Sequence, residues 1–391
     1  MSAAGNGDAM RVLHVIHQYA PHHVGGTEIY TQSLAKALAA CGHAVAIFTR
    51  VMEANAAGCL TTDVDDTGVT VYRWWCAEPK GVYNLFRDSY ANREALRPFA
   101  AVLQQFKPDI VHIQHLKGLH HNIPQLAVRA GARVVVTLHD YWYFCGNAQL
   151  LRPNGHVCGG PRWWLNCADC AAHRAQEPAL MFGAPIIAGL FAERSRRLAQ
   201  ALQQANVIIA PSRAVYDTYA RQMDMATRMR IIEHGIDAMP DADAPIVPAV
   251  GPLRILFAGG LSWQKGVHVL LAAFRALPSG SATLDICGDE HTFPQYVAQL
   301  KAAARGLAVT FHGAVPHERL AKMMRQSDVL AIPSLWPETA SLVALEAQAV
   351  GLPIIASDVG ALRERVASAA EGWLVAAGDV GAWGEALGRL A

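Results

Sequence analysis

The sequence predicts an α/β fold made of two doubly wound parallel-sheet domains that face each other across a cleft. Short apolar strands alternate with helices in two successive sets, which is typical of parallel sheets covered by helices. The length of 391 residues is also large for one hydrophobic core, so two domains are expected. We expect a first domain over residues 1–205, a second over 206–375 and a terminal helix over 376–391.

The first half opens with a strand, a glycine loop, a helix and a second strand. The first strand spans residues 12–17, Gly25 and Gly26 lie in the loop, and an amphipathic helix leads through Gly42 to a strand at 44–48. Further strands are predicted at 69–74, 110–113 and 134–138. This order of elements predicts a doubly wound domain.

The second half repeats this pattern after a switch near residues 203–209. Its strands are predicted at 207–210, 255–258, 283–287, 309–312, 329–332 and 354–356. Such sheets bind ligands beyond the carboxyl ends of their strands, so we expect the active site in the cleft. A two-domain dehydrogenase has the same order of elements. However, no Gly-x-Gly-x-x-Gly follows any of these strands, which argues against a nicotinamide enzyme.

The composition indicates a globular protein and gives no electrostatic case for nucleic acid. Hydrophobic residues make up 52%, charged residues 17%, and the net charge is +1. No secretory signal and no uncharged apolar stretch of membrane-spanning length is visible, so we expect a cytoplasmic protein. Residues 178–191 are the longest uncharged apolar stretch and predict a core helix. The alternative is an interfacial helix that contacts the inner face of the plasma membrane.

Two glutamates eight positions apart, Glu338 and Glu346, carry the strongest functional signal. Turn residues precede them, and an apolar helical face follows Ser341, which is a suitable N-cap. The helix is then expected to begin at Leu342 and Val343, whose N–H groups favour an anion such as a phosphate. Glu338 in the loop and Glu346 in the helix therefore predict a nucleotide-sugar site. Two ordinary surface glutamates on a solvated helix are the alternative.

The chain after this pair continues with a small-residue helix, Gly-x-Pro at residues 351–353 and a strand that ends near Asp358. Over nearly its whole length the sequence resembles the retaining glycosyltransferases of family 4 (glycosyl transferases group 1), whose two Rossmann-like domains form the GT-B arrangement. The resemblance implies transfer of a sugar from a nucleoside-diphosphate sugar to a hydroxyl acceptor. It also implies that Glu346 holds the donor ribose and that Glu338 contacts the transferred sugar.

The resemblance assigns a further donor-binding loop to Gly259, Gly260 and Lys265. The family carries an arginine and a lysine here, which bind the donor diphosphate and stabilise charge on the leaving group. Lys265 is present, but Gly260 replaces the arginine. Either another cation substitutes, or the activity is unusual or absent. Lys265 and the helix start would bear the diphosphate without a metal, so no cofactor is expected for catalysis.

Positions in the first half resemble the family's glycine loop and acceptor side. Gly25 and Gly26 match a loop whose backbone approaches a phosphate or sugar closely. Many members place an active-site histidine near the end of one first-domain strand, where this chain has Gln114 followed by His115. His139 resembles the histidine of the family's Thr-x-His. A buried histidine hydrogen-bonded to its neighbours is the alternative for both His115 and His139.

Four cysteines with the spacing Cys-x12-Cys-x8-Cys-x2-Cys lie in a turn-rich insertion at about residues 145–170: Cys145, Cys158, Cys167 and Cys170. The last pair has a spacing that tetrahedral zinc sites use, and a segment with little core gains stability from a metal. We expect a structural zinc that shapes the acceptor side. An iron–sulfur cluster or four unrelated thiols are the alternatives.

These features predict a retaining glycosyltransferase in bacterial cell-surface polysaccharide or glycolipid synthesis, with lipopolysaccharide as one such product. Its expected partners are a nucleoside-diphosphate sugar and a glycan or lipid-linked acceptor. The departures at Gly260 and Gln114 motivate a rival, a catalytically inactive sugar-nucleotide-binding or glycan-binding subunit of a polysaccharide assembly complex. The identities of the sugar, the base and the acceptor stay open.

Overall fold

The computed structural model describes residues 9–53, 56–240, 251–368 and 371–391. The chain divides into two compact units, each with its own β-sheet. The first unit takes residues up to 148 together with 160–211 and 215–233, and the second takes 149–159, 212–214 and 234–391.

The first unit is built on a largely parallel sheet. Its strands are β1 (Arg11–Val15), β2 (Ala44–Met52), β3 (Leu60–Val64), β4 (Thr70–Cys76), β5 (Ile110–Ile113), β6 (Arg133–Thr137), β7 (Val207–Ala210) and β8 (Met229–Ile231). Within the described residues they lie in the order β3-β4-β2-β1-β5-β6-β7-β8, and β3–β4 is the antiparallel pair. The helices are α1 (Gly26–Ala40), α2 (Val82–Ala91), α3 (Leu96–Phe106), α4 (Ile123–Arg129), α5 (Leu165–Ala175), α6 (Ala184–Gln203) and α7 (Arg213–Gln222).

The second unit is built on a parallel sheet. Its strands are β9 (Leu253–Ala258), β10 (Ala282–Cys287), β11 (Val309–Gly313), β12 (Val329–Ile332), β13 (Ile354–Ser357) and β14 (Gly372–Val375). Over the part of the chain that is described, their order is β11-β10-β9-β12-β13-β14. The helices are α8 (Val267–Arg275), α9 (Pro294–Ala303), α10 (His317–Gln326), α11 (Leu342–Ala349), α12 (Leu362–Ala367) and α13 (Val380–Leu390). Helix α13 packs on α8 through the fully buried Trp383.

Each sheet reverses its winding direction at one place, which confirms the doubly wound prediction. In the first sheet the reversal lies between the parallel neighbours β1 and β5, and in the second it lies between β9 and β12. Ligands of doubly wound sheets bind beyond the carboxyl ends of the strands at this reversal. The segments that follow these four strands are therefore the candidate ligand-binding segments of the two units.

The predicted domain boundary at residue 205 is wrong. Strand β7 pairs in parallel with β6 in the first sheet, and β8 continues that sheet beyond it. The first unit consequently extends to Glu233. An apolar run predicts a strand, but the sheet that the strand joins depends on backbone pairing with distant residues. Strands β3 and β8 were missed because they are mostly exposed and lack a continuous apolar run, and β14 was missed because its apolar run is limited to residues 373–375.

The predicted core helix over residues 178–191 is also wrong. Residues Pro178–Gly183 form a 3₁₀ turn, and α6 begins only at Ala184. Phe182 is 95% exposed and Ile186 73% exposed, so the stretch lies at the surface of the first unit. Apolar composition alone does not show whether another element covers a helix. Among the described residues, no helix has the length and apolarity needed to cross a bilayer.

Candidate functional site

The segments after β9 and β12 are held together at the winding reversal of the second sheet. The N–H of Leu335 donates to the carbonyl of Gln264 at 2.8 Å. Gly266 has φ 72°, and a Cβ there would lie 1.9 Å from the carbonyl oxygen of Pro333. Only glycine permits both this backbone conformation and this close approach. The Gly-Gly…Lys-Gly loop and the loop that carries Glu338 therefore meet.

Glu338 is the centre of a buried polar cluster at this meeting point. Its side-chain Oε1 accepts hydrogen bonds from Lys265 Nζ at 2.6 Å, Ser334 Oγ at 2.6 Å and Trp336 Nε1 at 3.1 Å. The residue is only 3% exposed, whereas the side chain of Lys265 is 30% exposed. Three donors compensate the burial of one carboxylate. The ammonium of Lys265 keeps further hydrogens for a ligand.

Sequence reasoning identified Lys265 and Glu338 but not the two other donors, Ser334 and Trp336. Both lie in the turn directly after the buried strand β12. Polar side chains that follow a buried parallel strand are a signal that would have found them.

The helix after Glu338 begins where the sequence predicts. Helix α11 starts at Leu342, and its first backbone bonds run from Ala344 and Leu345 to the carbonyl of Ser341. The N–H groups of Leu342 and Val343 precede these bonds and are available to an anion. The prediction for Ser341 is only partly right. It occupies the N-cap position, but with φ 58° and ψ 82° its side chain makes no capping hydrogen bond.

Glu346 lies on α11 and is largely buried, with 14% of its side chain exposed. Burial raises the pKa of its carboxyl to about 7. His317 Nε2 lies 3.7 Å from Glu346 Oε1. A carboxyl with this pKa exchanges between donor and acceptor states near neutral pH, which suits hydrogen bonding to the hydroxyls of a ligand.

Gly260 leaves open space at the position where the resembled family has arginine. Apart from its two chain neighbours, no atom of the described residues lies within 4 Å of a Cβ built on Gly260, and the φ of Gly260 is not in the left-handed region. Gly259, by contrast, has φ 150°, which few other residues adopt. The loop can therefore accept a side chain at position 260 without moving its backbone.

In the first unit, the glycine pair after β1 is supported by a buried glutamate that sequence reasoning missed. Gly25 is the N-cap of α1 and Gly26 its first residue. A Cβ on Gly25 would lie 2.8 Å from Oε2 of Glu28, which is 4% exposed. Burial raises the pKa of Glu28, while hydrogen bonds from its own and the Gly25 backbone N–H and from Gln18 lower it. A glutamate in the first helical turn after a glycine pair is the sequence signal that could have identified Glu28.

Gln114 joins two histidines at the winding reversal of the first sheet. Its Nε2 donates to His14 Nδ1 at 3.1 Å, and its Oε1 accepts from His139 Nε2 at 2.7 Å. Gln114 and His14 are fully buried. The pKa of His14 is lowered well below its usual value, mainly by burial and secondly by the neighbouring His112. Gln114 therefore orients a neutral His14 and the ring of His139.

His115 belongs to a separate pair beside this network. Its Nδ1 accepts the N–H of Lys117 at 3.0 Å, so its Nε2 carries the proton that reaches Asp140 Oδ2 at 3.2 Å. The ring of His17 lies 4.4 Å from that of His115, and burial lowers the pKa of His17. A histidine held by a carboxylate has a fixed orientation, which is what a proton-handling or hydroxyl-binding group needs. His17 and Asp140 were not singled out from the sequence.

The four cysteines of the predicted zinc site are divided between the two units. Cys145, Cys167 and Cys170 belong to the first, the latter two on α5, while Cys158 belongs to the second. Within residues 9–53, 56–240, 251–368 and 371–391, no group of three or more His, Cys, Asp and Glu side chains is placed to hold a metal ion. The structural zinc stays a prediction.

Two family models together match nearly the whole chain. "Glycosyltransferase Family 4" matches residues 24–239, and "Glycosyl transferases group 1" matches residues 241–391. The sequence is 29% identical to a D-inositol 3-phosphate glycosyltransferase of Corynebacterium urealyticum over 94% of this chain and 82% of that protein. It is 40% identical to a protein of the same name from Xylanimonas cellulosilytica, but over only 37% of this chain and 35% of that protein.

Solved structures share the fold of the whole chain. A sucrose-phosphate synthase from Thermosynechococcus elongatus superposes with a TM-score of 0.68 at 20% identity, covering 97% of this chain and 89% of that one. HepE from Anabaena, solved with UDP and glucose, gives 0.66 at 17% identity with the same coverage. At this identity the likeness establishes the fold, which is GT-B as the resemblance implied.

Proposed function

The chain belongs to Glycosyltransferase Family 4, and from this premise we propose that it is a retaining enzyme that transfers a sugar from a nucleoside-diphosphate sugar to a hydroxyl acceptor. The observation that carries the proposal is the Lys265–Glu338 contact at the winding reversal of the second sheet. It brings together a cation and an acid directly before the free N–H groups of α11. Such a group of charges and dipoles is complementary to a diphosphate attached to a sugar.

Donor binding is proposed to use three side chains and the first backbone N–H groups of α11, all in the second unit. Lys265 and the N–H groups of Leu342 and Val343 bind the diphosphate, while Glu346 accepts hydrogen bonds from the ribose hydroxyls. Glu338 contacts the transferred sugar through the oxygen that does not hold Lys265. Because the cation and the helix start neutralise the diphosphate, we propose that catalysis requires no divalent metal.

Catalysis is proposed to be mainly electrostatic. As the glycosidic bond breaks, negative charge develops on the departing phosphate, where Lys265 and the α11 N–H groups stabilise it. The acceptor hydroxyl attacks from the same face and gives its proton to the departing phosphate oxygen, so the anomeric configuration is retained. His115 and His139 are proposed to orient the acceptor hydroxyl.

The rival function is a binding subunit without catalytic activity, and a specific observation motivates it. Position 260 lacks the arginine of the resembled family, and the space there is open. A protein of this kind would bind the sugar nucleotide without forming a glycosidic product. Product analysis separates the two functions.

The test begins with thermal unfolding of the purified chain in the presence of UDP, GDP, ADP and TDP and their sugar conjugates. A ligand of the native state raises the melting temperature by mass action. We expect one nucleotide to do so, with the rise lost in Glu346→Ala. Acceptors are then supplied with the matching donor, and the anomeric configuration of the product is determined by NMR. An inverted product would refute the retaining mechanism, and binding without any product would favour the rival.

A peripheral membrane contact at the cytoplasmic face is proposed as part of this function, in cell-surface polysaccharide or glycolipid synthesis. It is supported by the exposure of Trp163 (86%), Phe182 (95%) and Ile186 (73%), which lie on or beside the mutually packed α5, 3₁₀ turn and α6. Exposed aromatic and aliphatic side chains insert into the boundary of a bilayer.

In vesicle flotation, the double variant Phe182→Ser with Ile186→Ser should lose binding. Val128→Ser, exposed on α4, is the control. Unchanged flotation of the double variant would refute the contact.

A further inference from the structure

A cavity in the first unit lies outside the groups assigned above. Its volume is about 570 Å³, within the range of pockets that bind small molecules. It is bounded by α2, the start of α3, the loop before α4 and the middle of α6. Three arginines and two histidines line it: Arg87, Arg93, Arg197, His120 and His121. Asp88 and Glu94 are its acidic lining residues. The lining side chains thus comprise three cations and two carboxylates.

The arginines differ in how far the protein already neutralises them. Arg87 pairs with Asp88 at 2.7 Å. Arg197 pairs with Glu193 at 2.6 Å, and Glu193 does not line the cavity. Arg93 is exposed and its guanidinium has no hydrogen-bond or ion-pair partner among the described residues. A guanidinium at the edge of a concave site with no carboxylate of its own is suited to a ligand oxyanion.

The histidines add neutral N–H donors. His120 is 5% exposed, and its Nδ1 accepts the N–H of Asn122 at 3.0 Å, so its Nε2 carries the proton. No group within the described residues accepts that proton in a hydrogen bond. The ring of His121 stacks on His120 at 4.4 Å. Burial lowers the pKa of both rings to about 4. For His120, the neighbouring His121 is the second cause. At neutral pH they therefore offer hydrogen bonds without adding charge.

We propose that this cavity binds an anionic group of the acceptor, a phosphate or a carboxylate. Arg93 and Arg197 bind its charge, and His120 Nε2 donates to one of its oxygens. The term acceptor rests on the proposed function. The connection between the cavity and the acceptor is motivated by the loop at residues 114–122, which carries Gln114 and His115 at its start and the cavity histidines near its end. A hydroxyl bound near His115 and an anion bound at His120 would belong to one acceptor molecule.

The experiment uses the full chain and three probes: glucose 6-phosphate, glucuronate and the neutral methyl α-glucoside. Dissociation constants are measured by isothermal titration calorimetry on wild type, Arg93→Ala and Arg197→Ala. The matched control is Arg196→Ala. Arg196 also pairs with Glu193 but does not line the cavity. We expect at least one anionic probe to bind, with affinity reduced about tenfold or more in both lining variants, since one charge-assisted contact is worth this much. The control should stay within about twofold of wild type.

The stronger of the two anionic probes identifies the acceptor class as phosphorylated or uronic. Binding of neither anion, equal binding of the neutral glucoside, or equal losses in Arg196→Ala and Arg197→Ala would each overturn the assignment. Nucleotide-induced thermal shifts are recorded on the same samples. If these persist while anion binding fails, only the cavity proposal falls. If anions bind as expected but no nucleotide does, the anion site stands and its connection to an acceptor is refuted.

Discussion

Lys265 Nζ donates to Glu338 Oε1 at 2.6 Å, although the two residues are 73 positions apart. The pair joins the two segments that follow the central strands β9 and β12. It pre-positions a cation without leaving either charge unpaired in a partly buried site. Under the proposed function, a diphosphate would bind the remaining hydrogens of the same ammonium group, which would couple donor binding to the position of Glu338.

Lys265→Ala should lower turnover by about 100-fold or more, because one preorganised charge on the leaving group is lost. It should also reduce the free energy of unfolding by about 1–3 kcal/mol, because the buried Glu338 loses a charged donor. Initial rates and urea unfolding measure the two effects. Lys301→Ala removes a lysine that pairs with Glu290 in the same unit and serves as the control. Turnover at the wild-type level in Lys265→Ala would refute the assignment.

The carboxyl of Glu346 should make the second unit less stable as the pH rises. Burial raises its pKa to about 7 from an ordinary value of 4.5. The folded state thus holds its proton more tightly than the unfolded state. Its favourable contribution is complete below pH 4.5 and is lost as the pH rises through about 7. The loss is on the order of 3 kcal/mol.

Urea unfolding at about pH 5 and about pH 8 measures this loss. In Glu346→Gln the difference between the two conditions should shrink, because no charge forms in the buried site. Glu385→Gln changes an exposed glutamate on α13 and should keep the wild-type difference. The interpretation fails if the Glu346 variant retains the full pH dependence.

Gly260→Arg should be accommodated, since no atom from the described part of the chain, its two neighbours excepted, lies within 4 Å of the new Cβ. We expect a change in stability within about 0.5 kcal/mol. Affinity for the nucleoside diphosphate should rise by up to about tenfold through an added charge-assisted contact. Gly260→Met adds similar bulk without charge and separates the two effects. Equal affinities in the two variants would show that position 260 does not face the diphosphate.

Gly266→Ala should be strongly destabilising because its Cβ would meet the Pro333 carbonyl oxygen at 1.9 Å. Gly280→Ala is a close control. Gly280 has a φ of 79°, against 72° for Gly266, but where the structure is described no atom beyond its chain neighbours lies within 4 Å of a Cβ built on it. The control should cost about 1–2 kcal/mol from backbone conformation alone. Gly266→Ala should cost about 2 kcal/mol more from the forced separation of the two loops. Similar unfolding midpoints for the two variants would argue against this close approach.

Gln114→Leu should destabilise the first unit by about 1–3 kcal/mol, because it removes the buried hydrogen bonds that Gln114 makes with His14 and His139. Gln114→Glu preserves the size of the side chain and one acceptor for His139. At acidic pH, where the new carboxyl is protonated, it should destabilise the unit less than Gln114→Leu does. Thermal unfolding of both variants across pH tests this. No destabilisation in Gln114→Leu would contradict the bridging role.

The sequence by itself determined the features that depend on neighbouring residues. Alternation of apolar strands with helices identified the two doubly wound sheets, and strands such as β5 and β12 were located to the residue. Turn residues and the apolar face after Ser341 predicted that α11 begins at Leu342. These features are readable because periodicity and turn chemistry act over a few positions.

Only the tertiary structure decided which distant segments meet. It assigned β7 to the first sheet, paired Lys265 with Glu338, and joined Gln114 to His14 and His139. It also left Phe182 on the surface. Strand pairing, burial and ion pairing are properties of residues brought together from far along the chain. A local pattern predicts that a strand or a charge is present, and only the packed fold determines its partner.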